Sequence, residues 1–118
     1  VKPAASSASV LSTVMSKLGA PYRYGSAGPS AFDCSGLMYW AFKQAGVTIP
    51  RTSRAQSTFG TPVSKANLQP GDLVFFYKPV SHVAMYIGNG NVVHASTSGQ
   101  PVKISTLASM PFSGARRI

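Results

Sequence analysis

The chain contains no glutamate and only two aspartates, Asp33 and Asp72, against 11 lysines and arginines. This scarcity argues against a carboxylate-dyad hydrolase, which needs two neighbouring acids, one as proton donor and one as base or nucleophile. Asp72 stands besides in a turn signal, Pro70-Gly71-Asp72. A carboxylate-rich magnesium or calcium site is disfavoured on the same ground. Cysteine occurs once, at Cys34, so no internal disulfide can form. Histidine occurs twice, at His82 and His94. No apolar run approaches the roughly 20 residues of a membrane span. No charged-then-apolar leader opens the chain, which is therefore expected to be a mature or excised domain.

What is present bounds the rest. At 118 residues and 44% hydrophobic content the chain reads as one domain with a modest core. The formal net charge is +9, a long-range attraction toward anionic partners. Nucleic-acid modules interleave basic and aromatic residues in one patch. Here the basic residues are scattered singly and many aromatics lie in apolar, core-like runs. An anionic polymer such as a bacterial wall is favoured over nucleic acid.

Residues 1–8, rich in Ala and Ser, read as a linker or arm, and residues 9–118 as the domain. A first helix is expected from Ser9 to Leu18, with Val10, Leu11, Val14, Met15 and Leu18 at helical spacing and Gly19 as a stop. A Gly- and Pro-punctuated loop follows. The second helix is expected from Cys34 to Ala45, with Asp33 as N-cap and Gly46 as C-cap. Its apolar residues wrap most of the way round, so it should be the most buried helix. A short third helix is expected over Thr52–Phe59, capped by Thr52 or Ser53. Strands are expected at Leu73–Tyr77, Val83–Ile87, Asn91–Ala95, Val102–Ile104 and Ala115–Ile118. Helices first and strands later is the α+β pattern.

Cys34 sits where a polar turn breaks into an apolar helix. The dipole and free N–H groups of a helix N-terminus favour the thiolate, which is the nucleophilic form. The alternative is an inert core cysteine. His82 and His94 flank the turn Gly88-Asn89-Gly90. A two-residue Asn89-Gly90 turn with regular pairing would put them on opposite faces. A three-residue loop, or an equivalent bulge, makes them diagonal neighbours on one face, and this arrangement is expected because the chemistry needs it. In that arrangement Cys34 is the nucleophile, His82 its base and His94 the residue that orients His82. Each histidine also has a bland reading, His82 as a surface residue and His94 as a hydrogen-bonded core residue. A zinc site built on the three lacks close ligand spacing and a fourth ligand, so no metal or other cofactor is expected. If Cys34 and His82 form an ion pair, iodoacetamide should alkylate the thiol well below the ~8.5 of a free cysteine.

Five stretches extend the signal: Gly19-Ala20-Pro21-Tyr22-Arg23-Tyr24-Gly25, Phe32-Asp33-Cys34-Ser35-Gly36-Leu37, Pro50-Arg51-Thr52-Ser53-Arg54-Ala55-Gln56, Leu68 through Phe76, and Ser81-His82-Val83-Ala84-Met85-Tyr86-Ile87-Gly88 through His94-Ala95. In this order they resemble the NlpC/p-sixty family of bacterial cell-wall cysteine peptidases, over about residues 10 to 118. In overall look the chain is similar to the actinobacterial Rip-type peptidoglycan endopeptidases. The resemblance implies a papain-like α+β fold, with the nucleophile helix packed on an antiparallel sheet of about five or six strands. It implies cleavage of the γ-D-glutamyl–meso-diaminopimelate bond of peptidoglycan stem peptides. By position it makes Cys34 the nucleophile, His82 the base, His94 the third polar residue and Tyr22 a group near the oxyanion. Asp33 and Ser35 match substrate-contacting positions, and Arg51, Ser53 and Gln56 a motif beside the cleft. Bland alternatives are helix caps for Asp33 and Ser53 and a solvated charge for Arg51.

The implied protein is secreted, acts in the bacterial wall or periplasmic space, and is expected as a monomer. Its partners would be stem peptides and anionic wall, with neither nucleic acid nor a membrane span. The rival readings are a non-catalytic peptidoglycan-binding module, a CHAP-like amidase cutting another wall bond, and a lipid acyltransferase of the LRAT type. The last would want an apolar membrane-facing segment.

Overall fold

The computed structural model describes residues 3–118, with side-chain surroundings given from Ser9 onward. Helix α1 spans Pro3–Met15. It starts six residues before the expected position, because Pro3 suits a first helical turn and the Ala/Ser run continues it. The backbone of the expected arm is thus helical from Pro3 on, and residues 1 and 2 lie outside the described part. The helix ends at Met15, three residues before the expected Leu18, and a turn leads to Gly19, whose φ of 90° breaks the helical path.

Helix α2 spans Cys34–Gln44. Asp33 caps it as expected: its backbone is extended and its Oδ1 accepts from the Gly36 N–H at 2.6 Å. The helix ends at Gln44 with Ala45 as its C-cap, not the expected Gly46, which follows with φ 83° and turns the chain away. Eleven residues are too few for a stable isolated helix, so packing holds it. Leu37, Met38, Ala41 and Phe42 are almost wholly buried, in one core with Val10 and Val14 of α1. Burying each large side chain stabilises by roughly 1.5–3 kcal/mol. Helix α3, Ser53–Gln56, is shorter than expected and is capped by Thr52.

Six strands form one antiparallel sheet: β1 Thr61–Pro62, β2 Leu73–Phe76, β3 His82–Gly88, β4 Asn91–His94, β5 Lys103–Thr106 and β6 Phe112–Arg117. Their order is β1-β6-β2-β3-β4-β5. Strand β1 and two short 3-10 turns, Lys65–Asn67 and Leu107–Ser109, were not legible in the sequence. One sheet face carries Leu73, Phe75, Val83, Met85 and Val93 and packs against the helices. The other carries Val74, Phe76, Ala84 and Val92 beneath Leu68, Leu107, Met110 and Phe112.

The β3–β4 hairpin turns on Asn89 and Gly90, with φ 55° and 74°. Gly88 pairs with Asn91, the two-residue arrangement. A bulge then shifts the register, so that Tyr86 pairs with Val92 and Met85 with Val93. This is the bulge equivalent of a three-residue loop, and it puts His82 and His94 on one face.

Gly36 packs the first turn of α2 against the loop before it. A Cβ there would fall well inside contact distance of the Ser26 carbonyl oxygen and 2.7 Å from Asp33 Oδ1. Neither atom can give way cheaply, because Ser26 O also accepts from Asp33 N–H at 2.9 Å. Gly36→Ala is expected to lower stability by about 2–3 kcal/mol through overpacking and loss of the cap. The midpoint of urea unfolding checks this.

Candidate active site

Cys34 opens α2 and is partly buried against the core. Backbone hydrogen bonds from Val83, Ser35 and its own N–H favour its thiolate. Burial outweighs them and pushes the thiol pKa up, with the Asp33 carboxylate adding to the rise. The expected low-pH alkylation therefore does not follow from this structure. The helix terminus alone does not overcome desolvation, so the resting thiol is protonated and alkylation should track an elevated pKa.

His82 is the first residue of β3, directly before the Val83 whose backbone meets the sulfur. Its ring lies on the sheet face of Phe76, 5.9 Å away between centroids. Cys34 and His82 thus approach the same end of β3, one from the helix side and the other from the opposite face. His82 Nε2 and His94 Nδ1 are 2.7 Å apart, and the rings meet edge to face. His94 Nε2 in turn lies 2.8 Å from Ser105 Oγ on β5. Both histidines are held neutral, each with its pKa lowered to about 4. For His82 the causes are burial and then His94, and for His94 burial and then the Lys103 charge. One ring nitrogen of each histidine is thus spent on the other. Among the described residues no three His, Cys, Asp or Glu side chains gather as a metal ion would need.

These shifts link stability to pH. Protonation is harder in the folded state than at an ordinary histidine near 6.5, so the unfolded chain binds more protons between about pH 4 and 6.5. The stability of the neutral pair is complete above pH 6.5 and falls as pH drops toward 4. The expected loss is on the order of 3 kcal/mol for the pair, because two rings in direct contact do not titrate independently. Urea midpoints measured across pH 7 to 4 should fall in the wild type and stay flatter in a His82→Gln/His94→Gln protein.

Tyr22 is partly buried, on a strap joined to the nucleophile segment by Arg23 N–H to Phe32 O at 3.0 Å and Phe32 N–H to Pro21 O at 3.1 Å. Burial raises its pKa, and Cys34 once ionised and the Asp33 carboxylate would raise it further, so its hydroxyl stays a proton donor. Asp33 does more than cap. Its oxygens also accept from Gly25 N–H at 2.9 Å and from Arg51 Nη1 and Nη2, at 3.2 and 3.1 Å. Arg51 donates to Ser35 Oγ at 2.9 Å as well. Arg51 is thus the partner of Asp33 and not a free surface charge.

Gln56 is fully buried and donates to Ser35 O and Pro50 O. In this structure it reaches the site through Ser35, not by facing solvent. Ser53 lies in the first turn of α3, and Thr52 takes the capping role.

Two hollows flank these groups. One of about 340 Å³, lined by Tyr77, Ser81, His82, Ser96, Thr97 and Met110, opens beside His82. Tyr77 has φ 71°, a conformation that costs a non-glycine residue about 1–2 kcal/mol. The other, of about 270 Å³, lies between Tyr22 and Gln100. Sequence reasoning missed Ser105, the Val83 N–H and the strain at Tyr77. None has a local signal, since each depends on strand register or on the packing of distant segments.

The family described as "NlpC/P60 family" matches residues 19–115. A probable endopeptidase of Corynebacterium glutamicum is 48% identical over 116 residues, 98% of this chain and 56% of the relative. The chain therefore spans about half the length of that curated relative. The structure of the peptidoglycan hydrolase RipB from Mycobacterium tuberculosis superposes with a TM-score of 0.86 at 34% identity, over 99% of this chain and 66% of that one. The NlpC/p60 domain of the peptidoglycan hydrolase SagA gives 0.88 at 30% identity, over 95% and 98%.

Proposed function

The chain belongs to the NlpC/P60 family, and on that premise we propose that it is a cysteine endopeptidase that cuts the γ-D-glutamyl–meso-diaminopimelate bond of peptidoglycan stem peptides. The observation that carries the reading is the 2.7 Å His82–His94 contact at the end of β3 where Val83 meets Cys34. A thiol, a neutral base and an orienting group are the parts that acyl transfer needs.

The neutral resting pair sets the mechanism. His82 Nδ1 takes the thiol proton as the sulfur attacks the amide carbonyl carbon. The developing oxyanion accepts from the Cys34 backbone N–H and the Tyr22 hydroxyl. The C–N bond then breaks, and His82 gives its proton to the leaving amine. Water attacks the resulting thioester, His82 takes its proton, and that proton returns to Cys34 as the acid departs. His82 serves the leaving amine, so the 340 Å³ hollow beside it receives the diamino acid. We assign the Asp33–Arg51–Ser35 cluster to the acyl side, because it joins the two residues that flank Cys34.

The protein works as a secreted monomer in the wall or periplasmic space, and its +9 charge draws it to wall carboxylates and phosphates. Among the described residues no helix is long and apolar enough to cross a membrane.

The test is mass spectrometry of L-Ala-γ-D-Glu-meso-diaminopimelate incubated with wild type and with Cys34→Ala. The expected result is cleavage between glutamate and diaminopimelate by wild type alone. Release of the stem peptide from a larger wall fragment, without cleavage of this tripeptide, would favour the amidase reading. Binding without cleavage by the folded, reduced wild type would favour a binding module.

A further inference from the structure

The proton arrangement of the two histidines is not fixed by their own geometry. Two neutral forms fit the same heavy atoms. In the first, His82 Nε2–H donates to His94 Nδ1, and His94 carries its proton on Nε2. His82 Nδ1 is then a free lone pair. In the second, His94 Nδ1–H donates to His82 Nε2, and the His82 proton sits on Nδ1, where it cannot take one from the thiol. Only the first form is a base toward Cys34. It also persists when His82 becomes an imidazolium, because both His82 nitrogens then donate and His94 must accept.

The first form places an N–H on His94 Nε2, inside a residue only 2% exposed. A buried donor without an acceptor costs more than a half-used lone pair. The acceptor present is Ser105 Oγ, at 2.8 Å. Ser105 pairs with Val92 in the β4–β5 register, two residues from His94, so its side chain shares the His94 face. It lies on the edge strand and is partly exposed, so its own O–H can turn to water.

We infer that Ser105 is a positioning residue of the catalytic row: by accepting from His94 Nε2–H it removes the unpaired-donor penalty from the histidine tautomers that leave His82 able to take the Cys34 proton. The role rests on the cysteine-peptidase reading above. It acts through two rings and touches neither the thiol nor a substrate. It predicts a loss in kcat with KM unchanged.

The experiment compares wild type, Ser105→Ala and Ser105→Thr. Side-chain 15N shifts of histidine are measured in the free protein, and steady-state kinetics on the tripeptide above. Ser105→Ala is expected to lower kcat about ten-fold, with KM unchanged, and to move the His94 proton from Nε2 toward Nδ1. Ser105→Thr keeps the hydroxyl and should restore both. A folded Ser105→Ala protein with wild-type tautomers and kcat would overturn the inference, as would a kcat loss that threonine does not restore. The tautomer readout needs no substrate. Should wild type fail to cleave the peptide, the functional reading fails, and the role of Ser105 in fixing the tautomers is still decided.

Discussion

Replacing His82 with alanine is expected to lower kcat/KM near neutral pH about 10³-fold and to change the shape of its pH profile. The wild-type profile should rise through pH 4, where His82 loses its proton, and then stay flat. Its alkaline limit is set by the thiol, whose pKa burial raises. Between these limits thiol and imidazole are both neutral, and the proton moves as the sulfur attacks. General-base help of this kind contributes 10²–10⁴-fold. Without His82 the only nucleophile is thiolate formed in advance, whose fraction grows ten-fold per pH unit below its pKa. The His82→Ala profile should therefore climb across the neutral and alkaline range. A flat residual rate would mean that another group takes the proton, and the assignment of His82 as base would fail.

The second large effect concerns stability and lies away from the site. Asp72 is 1% exposed, and Arg117 donates to both of its oxygens at 2.8 Å. Asp72 also accepts from Gln69 N–H, and Arg117 donates to Asn67 O at 3.2 Å. The pair ties β6 to the turn that starts β2. Removing the guanidinium leaves a buried carboxylate with only the Gln69 N–H as partner, and breaking fully buried pairs costs about 3–5 kcal/mol. The arginine side chain is 37% exposed, so water replaces part of it and the expected loss for Arg117→Leu is about 3 kcal/mol. Arg117→Lys should recover only part, since an ammonium cannot form the fork. The double change Asp72→Asn/Arg117→Leu should cost less than Arg117→Leu alone, because no buried charge is stranded. Urea unfolding of the four proteins reads this directly, and a double mutant worse than the single would contradict the argument.

With both aspartates paired, Asp33 to Arg51 and Asp72 to Arg117, no carboxylate side chain is left free. A ligand reaching this domain meets positive charge and hydroxyls. The net charge of +9 draws the domain toward anionic partners, of which the proposed one is the wall.

The sequence by itself determined the local decisions. Asp33 before an apolar run sets the start of α2, and the Asn89-Gly90 turn sets the β3–β4 hairpin, because capping and positive φ are properties of one or two residues. It also placed the lone thiol at a helix tip and named the two histidines. The tertiary structure decided what those groups become. The bulge before Gly88 brings His82 and His94 to 2.7 Å, a matter of ladder register that alternation alone leaves open by one residue. Burial decides that the resting thiol and imidazole are neutral, against the helix-terminus argument, because desolvation depends on all the segments packed around them. It took the assembled sheet to set Ser105 behind His94 and Arg117 over Asp72, pairs 11 and 45 residues apart in sequence, since such contacts follow from strand order and not from any local pattern.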